Sequence, residues 1–229
     1  MAHVTHELRS PVNAIAGLAE LIRAGCEKGS WDKVRPRVEL LQTSATSLRT
    51  LVRNVLDLSK LEAGRMEVWR EPVDLVPLVV EVAEVGRVLA GTKPLAIVLD
   101  APEGPLVLDT DAQKVRQALL NLVSNAVKFT EAGQVTLRLR GEAGGALIAV
   151  QDTGIGIAEA DRARLFVPFG QIEDPRTKRH EGTGLGLVVA RQLVALLGGG
   201  LELTSAVGAG SIFSITLPAK APAGEQSHG

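Results

Sequence analysis

Asp152-Thr153-Gly154-Ile155-Gly156-Ile157 and, further along, Gly182-Thr183-Gly184-Leu185-Gly186-Leu187 are the stretches on which the reading of this chain turns. The first follows an apolar run, Leu147 to Val150. Its two glycines let the backbone turn sharply and approach a flat ring. Asp152, at a strand end, is an acceptor suited to the amino group of an adenine, and Ile155 and Ile157 offer apolar surface to a base. Alone, the segment reads equally well as a tight turn. The second stretch opens a helix, where glycines leave N–H groups and the positive end of the helix dipole open to phosphate. No Gly-Lys-Ser/Thr follows, and a polar stretch precedes it, so it is neither a P-loop nor a dinucleotide fingerprint.

Upstream, an amphipathic helix from Lys114 to Lys128 places Asn121, Asn125 and Lys128 one turn apart on one face. Asn carbonyls are hard oxygen donors that suit Mg²⁺, and Lys128 can meet phosphate charge. A plain polar helix face is the simpler alternative for these residues taken alone. Between the two glycine stretches stands Leu165-Phe166-Val167-Pro168-Phe169-Gly170-Gln171, then a charged run from Glu173 to Glu181. It reads as a lid over a nucleotide. Lys178 and Arg179 could reach a terminal phosphate, although each taken singly is more simply a solvated loop charge.

The remaining pattern after residue 72 alternates helices with strands. Leu75 to Leu89 and Leu185 to Leu197 read as helices; Leu95 to Leu99, Val135 to Leu139, Leu147 to Val150, Leu201 to Leu203 and Ile212 to Leu217 read as strands. Together they predict an α+β sandwich. After Pro218 the composition predicts a disordered tail.

The first third reads as two helices. Val4, Leu8, Ile15, Leu18 and Ile22 recur at helical spacing, as do Leu41, Leu48, Leu51, Val52, Val55, Leu58 and Leu61. Gly25, Gly29 and Ser30 are expected to break the pattern between them, with Ser30 or Asp32 capping the second helix. A lone hairpin leaves apolar surface exposed, so a homodimeric four-helix bundle is expected; docking of the hairpin on the rest of the chain is the alternative. Ala63-Gly64 stops the second helix. The expected layout is therefore an all-α hairpin over 1–64, a linker over 65–71, the α+β domain over 72–218 and the tail over 219–229.

On the first helix stands His6-Glu7-Leu8-Arg9-Ser10-Pro11. A histidine that accepts a phosphoryl group needs one free ring nitrogen and a group that holds the other as N–H. Glu7 is a candidate for that group. Ser10 lies one turn on, where its hydroxyl could orient a water or a phosphoryl oxygen. Pro11 bends or weakens the helix just beyond His6. Taken alone, a His-Glu pair on a helix is most simply solvated surface.

Composition narrows the classes. The 229 residues carry a net charge of −1, with 45% hydrophobic and 22% charged residues, as in ordinary globular chains. No basic excess points to nucleic acid, and the absence of Tyr leaves few stacking platforms. Cys26 is the single cysteine, which excludes an internal disulfide and a Cys-based zinc site. No run is long and apolar enough to predict a membrane segment, so this portion is expected to be cytoplasmic, with any anchor in another part of a longer protein. The chain opens five residues before His6, and we expect the first helix to continue upstream in such a protein.

In combination these motifs resemble the sensor histidine kinases of two-component systems, over nearly the whole chain. His6 to Pro11, with Ala2-His3-Val4-Thr5 before it, is similar to the family's H-box, and Leu56-Asp57-Leu58-Ser59-Lys60-Leu61-Glu62-Ala63-Gly64 to the end of its second dimerisation helix. The order Asn-x-x-x-Asn, Asp-x-Gly-x-Gly, Phe-x-x-Phe, Gly-x-Gly-x-Gly resembles the family's ATP-binding domain of GHKL (Bergerat) type, shared with gyrase and Hsp90. The resemblance implies ATP-dependent phosphorylation of His6, with Glu7 as its acid/base partner, and transfer to an Asp of a response regulator receiver domain. It implies Asn121, Asn125 and Lys128 near the phosphates, with Asn125 as Mg²⁺ ligand. It implies Asp152 on adenine beside Gly154, Gly156 and Ile157, and Gly182, Thr183, Gly184, Leu185 and Gly186 around the phosphates, with Lys178 and Arg179 in the lid. Ser10 occupies a position tied to dephosphorylating the regulator, where the family usually has Thr or Asn. Glu181 stands where Gly or Pro is common. Two competing readings are an ATPase or ATP-driven clamp on the same fold and an idle scaffold that binds a receiver. The first needs a water-activating carboxylate one turn before the metal-binding Asn, where this chain has Asn121.

Overall fold

Helix formation begins with the two periodic stretches near the start. The computed structural model describes residues 2–170 and 184–219, with side chains from residue 8 onward. Helices α1 (Ala2–Glu27) and α2 (Trp31–Glu62) form one unit, which ends at Gly64; residues 65–229 form a second.

In the first unit α1 runs through Gly25 and stops at Gly29, whose φ of 63° is a left-handed cap. The Gly29 N–H donates to Cys26 O at 3.1 Å and the Ser30 N–H to Gly25 O at 2.9 Å. Gly25, expected as a breaker, is instead a packing residue. A Cβ there would lie 2.8 Å from Val34 Cγ2, so its bare backbone lets the two helices close. Ser30 holds the N-cap position of α2, but its side chain makes no capping bond. Val34, Leu51, Asn54 and Leu58 are buried along α2. Val12, Leu21, Leu40, Val52 and Leu56 stay exposed, Leu40 and Leu56 at 56% each. No described helix is long and apolar enough to cross a membrane.

The second unit is a sheet with helices on one face. Strands β2 (Leu95–Asp100), β4 (Gly133–Glu142), β5 (Gly145–Asp152), β6 (Gly200–Ala206) and β7 (Gly210–Pro218) lie in the order β2-β4-β5-β7-β6, with only β2 and β4 parallel. Leu137, Val150 and Phe213 are register partners across three strands, as are Leu139, Ile148 and Ile215, and all are buried. That face meets helices α3 (Leu75–Ala90), α4 (Ala112–Phe129) and α6 (Gly186–Leu196). The alternate residues Arg138, Gln151 and Ser214 point to the opposite, more polar face.

Two short strands escaped the periodicity reading, β1 (Glu71–Asp74) and β3 (Val107–Thr110), which pair antiparallel. Each has four residues, too few to display a period. Glu71, the last residue of the expected linker, therefore already belongs to a sheet. The residues before it are tied down too. The Trp69 N–H donates to Asp111 Oδ2 at 3.0 Å, and Arg70 Nη2 donates to Leu197 O at 3.2 Å. Helix α5 (Glu159–Arg162) and the 3₁₀ turn Ala163–Phe166 are single turns for which the sequence held no signal. The tail from 220 onward lies outside the described residues.

Asp111 starts α4. Its Oδ1 accepts from the N–H groups of Gln113 and Lys114, both at 3.1 Å, and its Oδ2 from Lys114 Nζ at 2.6 Å. Burial alone would raise its carboxyl, but the Lys114 ammonium and the N–H groups of Trp69 and Lys114 outweigh it and hold the pKa below the ordinary 3.8. Because the folded pKa is depressed, the stabilisation is complete above 3.8 and is lost as pH falls through the folded value. Asp111→Ala should cost roughly 2 kcal/mol in urea unfolding near neutral pH, from the lost cap and the stranded Lys114. The difference from the parent should shrink on acidification below 3.8.

Candidate functional site

Helix α4 carries the two asparagines and the lysine. Its other face buries Val115, Leu119, Leu122, Val123 and Val127, which leaves Asn121, Asn125 and Lys128 half-buried at the edge of the layer. Asn121 lies against the first turn of α6. A Cβ on Gly186 would stand 3.6 Å from Asn121 Oδ1, an ordinary contact distance, so the carboxamide packs directly against the helix start. Asn121 Nδ2 is buried and has no hydrogen-bond partner among the described residues. Such a buried donor calls for an acceptor. The Lys128 ammonium sits 4.6 Å from the centre of the Phe129 ring. With carboxamide oxygens on α4 and no cluster of His, Cys, Asp or Glu that could hold a metal among the described residues, the donor set fits a hard cation that keeps phosphate and water as its other ligands.

Asp152 ends β5, opposite Val135 on β4 and Ser211 on β7. It is 6% exposed. Gly154 N–H donates to its Oδ1 at 2.8 Å. Burial raises its pKa above 3.8, against the opposing pull of the Gly154 N–H and the N–H and hydroxyl of Ser211. The turn that follows is wedged between two segments. A Cβ on Gly154 would lie 2.3 Å from Phe129 O, and one on Gly156 would lie 1.9 Å from Ala206 O. Gly156 also has φ of 68°. Ile155 N–H donates to Phe129 O at 3.4 Å, and Ile157 N–H to Ser205 Oγ at 2.8 Å. Ser205 Oγ in turn donates to Gly210 O at 2.8 Å and lies 3.0 Å from Ser211 Oγ. The turn after Asp152 is thus bonded to the end of α4, to the end of β6 through Ser205, and to the β6–β7 connection through the Gly208 N–H, which donates to Ile155 O.

The Phe-x-x-Phe segment meets the second glycine stretch. Gly184 has φ of 65°, and a Cβ there would stand 2.9 Å from Gly170 O. Phe169 holds φ of 62°, a left-handed conformation that costs a side-chain-bearing residue roughly 1–2 kcal/mol. Arg191 on α6 places its guanidinium 4.8 Å from the Phe166 ring centre. Leu185, just before α6, is fully buried and anchors the helix start.

The structure therefore brings Asn121 together with Gly186, and Asp152 together with Gly154, Gly156 and Ile157, and links the two groups through Phe129. Asn125 and Lys128 lie on the same helix face as Asn121. Lys178, Arg179, Gly182 and Thr183 lie outside the described residues. His6 and Glu7 lie in α1 with their side chains outside them, and Ser10 is exposed on that helix. Sequence reasoning missed Ser205, Ser211 and Thr130. Ser211 reaches Asp152 only through strand register, which no local pattern reveals. Thr130 directly follows Lys128-Phe129, the one local signal for it. A cavity of about 270 Å³ near Gly144, Gly199 and Thr216 lies at the other end of β5 and is unrelated to this site.

Two family models match the chain. "His Kinase A (phospho-acceptor) domain" covers residues 1–64, and "Histidine kinase-, DNA gyrase B-, and HSP90-like ATPase" covers residues 110–221. Histidine protein kinase DivJ of Caulobacter vibrioides is 39% identical over 95% of this chain and 36% of its own length. The aerobic respiration control sensor protein ArcB of Escherichia coli is 34% identical over 97% of this chain and 28% of its own. The chain thus spans well under half the length of the curated relatives it matches. Among solved structures, the Acinetobacter baumannii histidine kinase AdeS aligns with a TM-score of 0.72 at 25% identity, over 93% of this chain and 98% of that one. Full-length ShkA in complex with AMPPNP aligns at 0.71 and 32% identity, over 96% of this chain and 46% of that one.

Gly156→Ala should destabilise the second unit by roughly 1–2 kcal/mol from the left-handed backbone alone, and by more from the overlap with Ala206 O. Thermal unfolding followed by circular dichroism should show a clear fall in Tm, whereas Gly144→Ala, with open space around it, should leave it almost unchanged.

Proposed function

The chain belongs to the sensor histidine kinases, and from that premise we propose that it uses Mg²⁺-ATP to phosphorylate His6 and passes the phosphoryl group to an aspartate of a response regulator receiver domain. The observation that carries this reading is the pairing of a buried carboxylate acceptor with a buried donor that has no partner among the described residues. Asp152 is a buried acceptor at one end of the site, and Asn121 Nδ2 is a buried donor without a partner among the described residues, beside the start of α6 at the other. A purine amino group answers the first and phosphate oxygens answer the second.

Each residue then has a task. Asp152 accepts from the adenine amino group, and Gly154 and Gly156 hold the turn close enough for Ile155 and Ile157 to cover the ring. Asn121 donates to phosphate, Lys128 balances its charge, and the N–H groups at Gly184 to Gly186 add the positive end of α6. Gly182, Thr183, Lys178 and Arg179 complete the phosphate end. Asn125 supplies a carboxamide oxygen to Mg²⁺, which when bound neutralises charge developing on the phosphates. At the other unit a ring nitrogen of His6 attacks the γ-phosphorus in line. The bond to the β–γ bridging oxygen breaks, ADP leaves, and Glu7 holds the proton on the second ring nitrogen. Transfer to the regulator regenerates His6. Ser10, one turn along and exposed, orients a water during dephosphorylation of that regulator. The exposed apolar residues Val12, Leu21, Leu40, Val52 and Leu56 support a homodimer that buries them in a four-helix bundle. A cytoplasmic place for this portion follows from its need for ATP.

Incubation with γ-labelled ATP should give an acid-labile, alkali-stable phosphoprotein. His6→Gln should abolish the label, and label retained in that variant would mean another acceptor. Asn125→Ala should also abolish it while helical circular dichroism stays unchanged.

The raised pKa of Asp152 sets a pH dependence. As pH falls toward that value the carboxylate gains a proton and stops accepting from the base. ATP affinity, measured by titration calorimetry, should weaken on the acid side beginning above pH 3.8. Asp152→Asn should lower affinity about tenfold or more, the loss expected for a hydrogen bond to a charged group.

A further inference from the structure

Lys93 lies in the turn between α3 and β2, remote in sequence from every motif above. Its turn is fixed at both sides. Lys93 N–H donates to Ala90 O at 3.0 Å, and the neighbouring Pro94 O accepts from Gly133 N–H at 3.0 Å. From there the ammonium reaches the end of α4, donating to Val127 O at 2.9 Å, Thr130 O at 3.3 Å and Lys128 O at 3.5 Å.

The last four carbonyls of a helix have no partner within it. In α4 these include Val127, Lys128 and Phe129. Lys93 takes the first two, and Ile155 N–H takes the third. The positive charge also lies at the negative end of the helix dipole, where it is favourable. The same short segment is the joint between the two halves of the candidate site. It follows Asn125, contains Lys128, and abuts the Asp152–Gly154 turn through Phe129 O. Thr130, whose backbone carbonyl Lys93 holds, has a fully buried hydroxyl with no partner among the described residues. That hydroxyl and Asp152 Oδ1 would both lie 2.9 Å from a Cβ on Gly154.

We propose that Lys93 is a positioning residue for the nucleotide site, holding the end of α4 so that its phosphate-facing residues and the base-binding turn keep one fixed separation. The proposal rests on the ATP-binding reading above. Without the ammonium the last turn of α4 frays, and the Phe129–Ile155 bond opens with it. Both ends of the nucleotide then lose their spacing, although no residue that touches it has changed.

The test compares Lys93→Met and Lys93→Arg with the parent chain. In Lys93→Met the KM for Mg²⁺-ATP in autophosphorylation should rise about five- to tenfold, the size of a lost charged helix-end contact, with kcat within about twofold. Lys93→Arg should restore KM to within about twofold, because a guanidinium can serve the same carbonyls. Hydrogen exchange on the nucleotide-free protein should show the Ile155 amide exchanging about tenfold faster in Lys93→Met. Should Lys93→Met fail to fold, Lys93→Gln, which keeps N–H donors without charge, is read in its place. A lowered Tm with KM and Ile155 exchange unchanged would overturn the proposal and leave Lys93 merely structural. Failure of the parent to bind ATP would overturn the functional reading instead, while the exchange comparison still judges the clamp.

Discussion

Three backbone segments meet at the end of β5 with no room for a side chain between them. Gly154 rests on the carbonyl of Phe129, Gly156 on that of Ala206, and Gly210, with φ of 84°, on that of Asp152 itself. These approaches force the chain after β5 to turn at once. They place the Asp152 carboxylate beneath the turn, and they join α4, β5 and the β6–β7 connection at one point. The burial that raises the Asp152 pKa and the Ser205–Ser211 hydroxyl pair both follow from that junction. A methyl group at any of the three glycines would separate the segments and with them the acceptor from the helix.

Helix α4 transmits the junction to the rest of the site. Its N-terminus is held by Asp111 and its C-terminus by Lys93, so each end faces the charge that opposes its dipole. Its apolar face is locked into the core by Leu119, Leu122 and Val123, none of which is exposed. A helix fixed in this way cannot slide or rotate without breaking several bonds together. Asn121, Asn125 and Lys128 are therefore presented from a rigid rail, and the start of α6 at Gly186 packs against Asn121. Trp69 and Arg70, just ahead of β1, bond to the start of α4 and the end of α6. The segment that follows the hairpin is thus continuous with both helices of the site.

The hairpin rests on simpler physics. Gly29 supplies the left-handed cap, Gly25 the close approach to Val34, and a stripe of apolar residues the shared core. The stripe is wider than one partner helix can cover, as the exposure of Leu40 and Leu56 shows. The surplus is the physical basis for expecting a second copy.

Much of this was legible in the amino-acid order. Helical periodicity gave away α1, α2, α3, α4 and α6, because a stripe facing a core repeats every three or four residues. The longer strands showed through alternation, and the two glycines after Asp152 marked a sharp turn at a strand end. Short or non-repeating features stayed hidden. β1 and β3 have too few residues to show a period, and Gly25 reads as a breaker until Val34 is seen beside it. Ser211 meets Asp152 only through the register of β5 and β7, and Lys93 meets α4 only because a turn far away in sequence folds onto the helix end. Sequence alone determined which motifs are present and which segments repeat, since both depend on residue type and spacing along the chain. Tertiary structure decided which groups are left without partners and which distant charges hold the helix ends, since those depend on distances through space that no local pattern encodes.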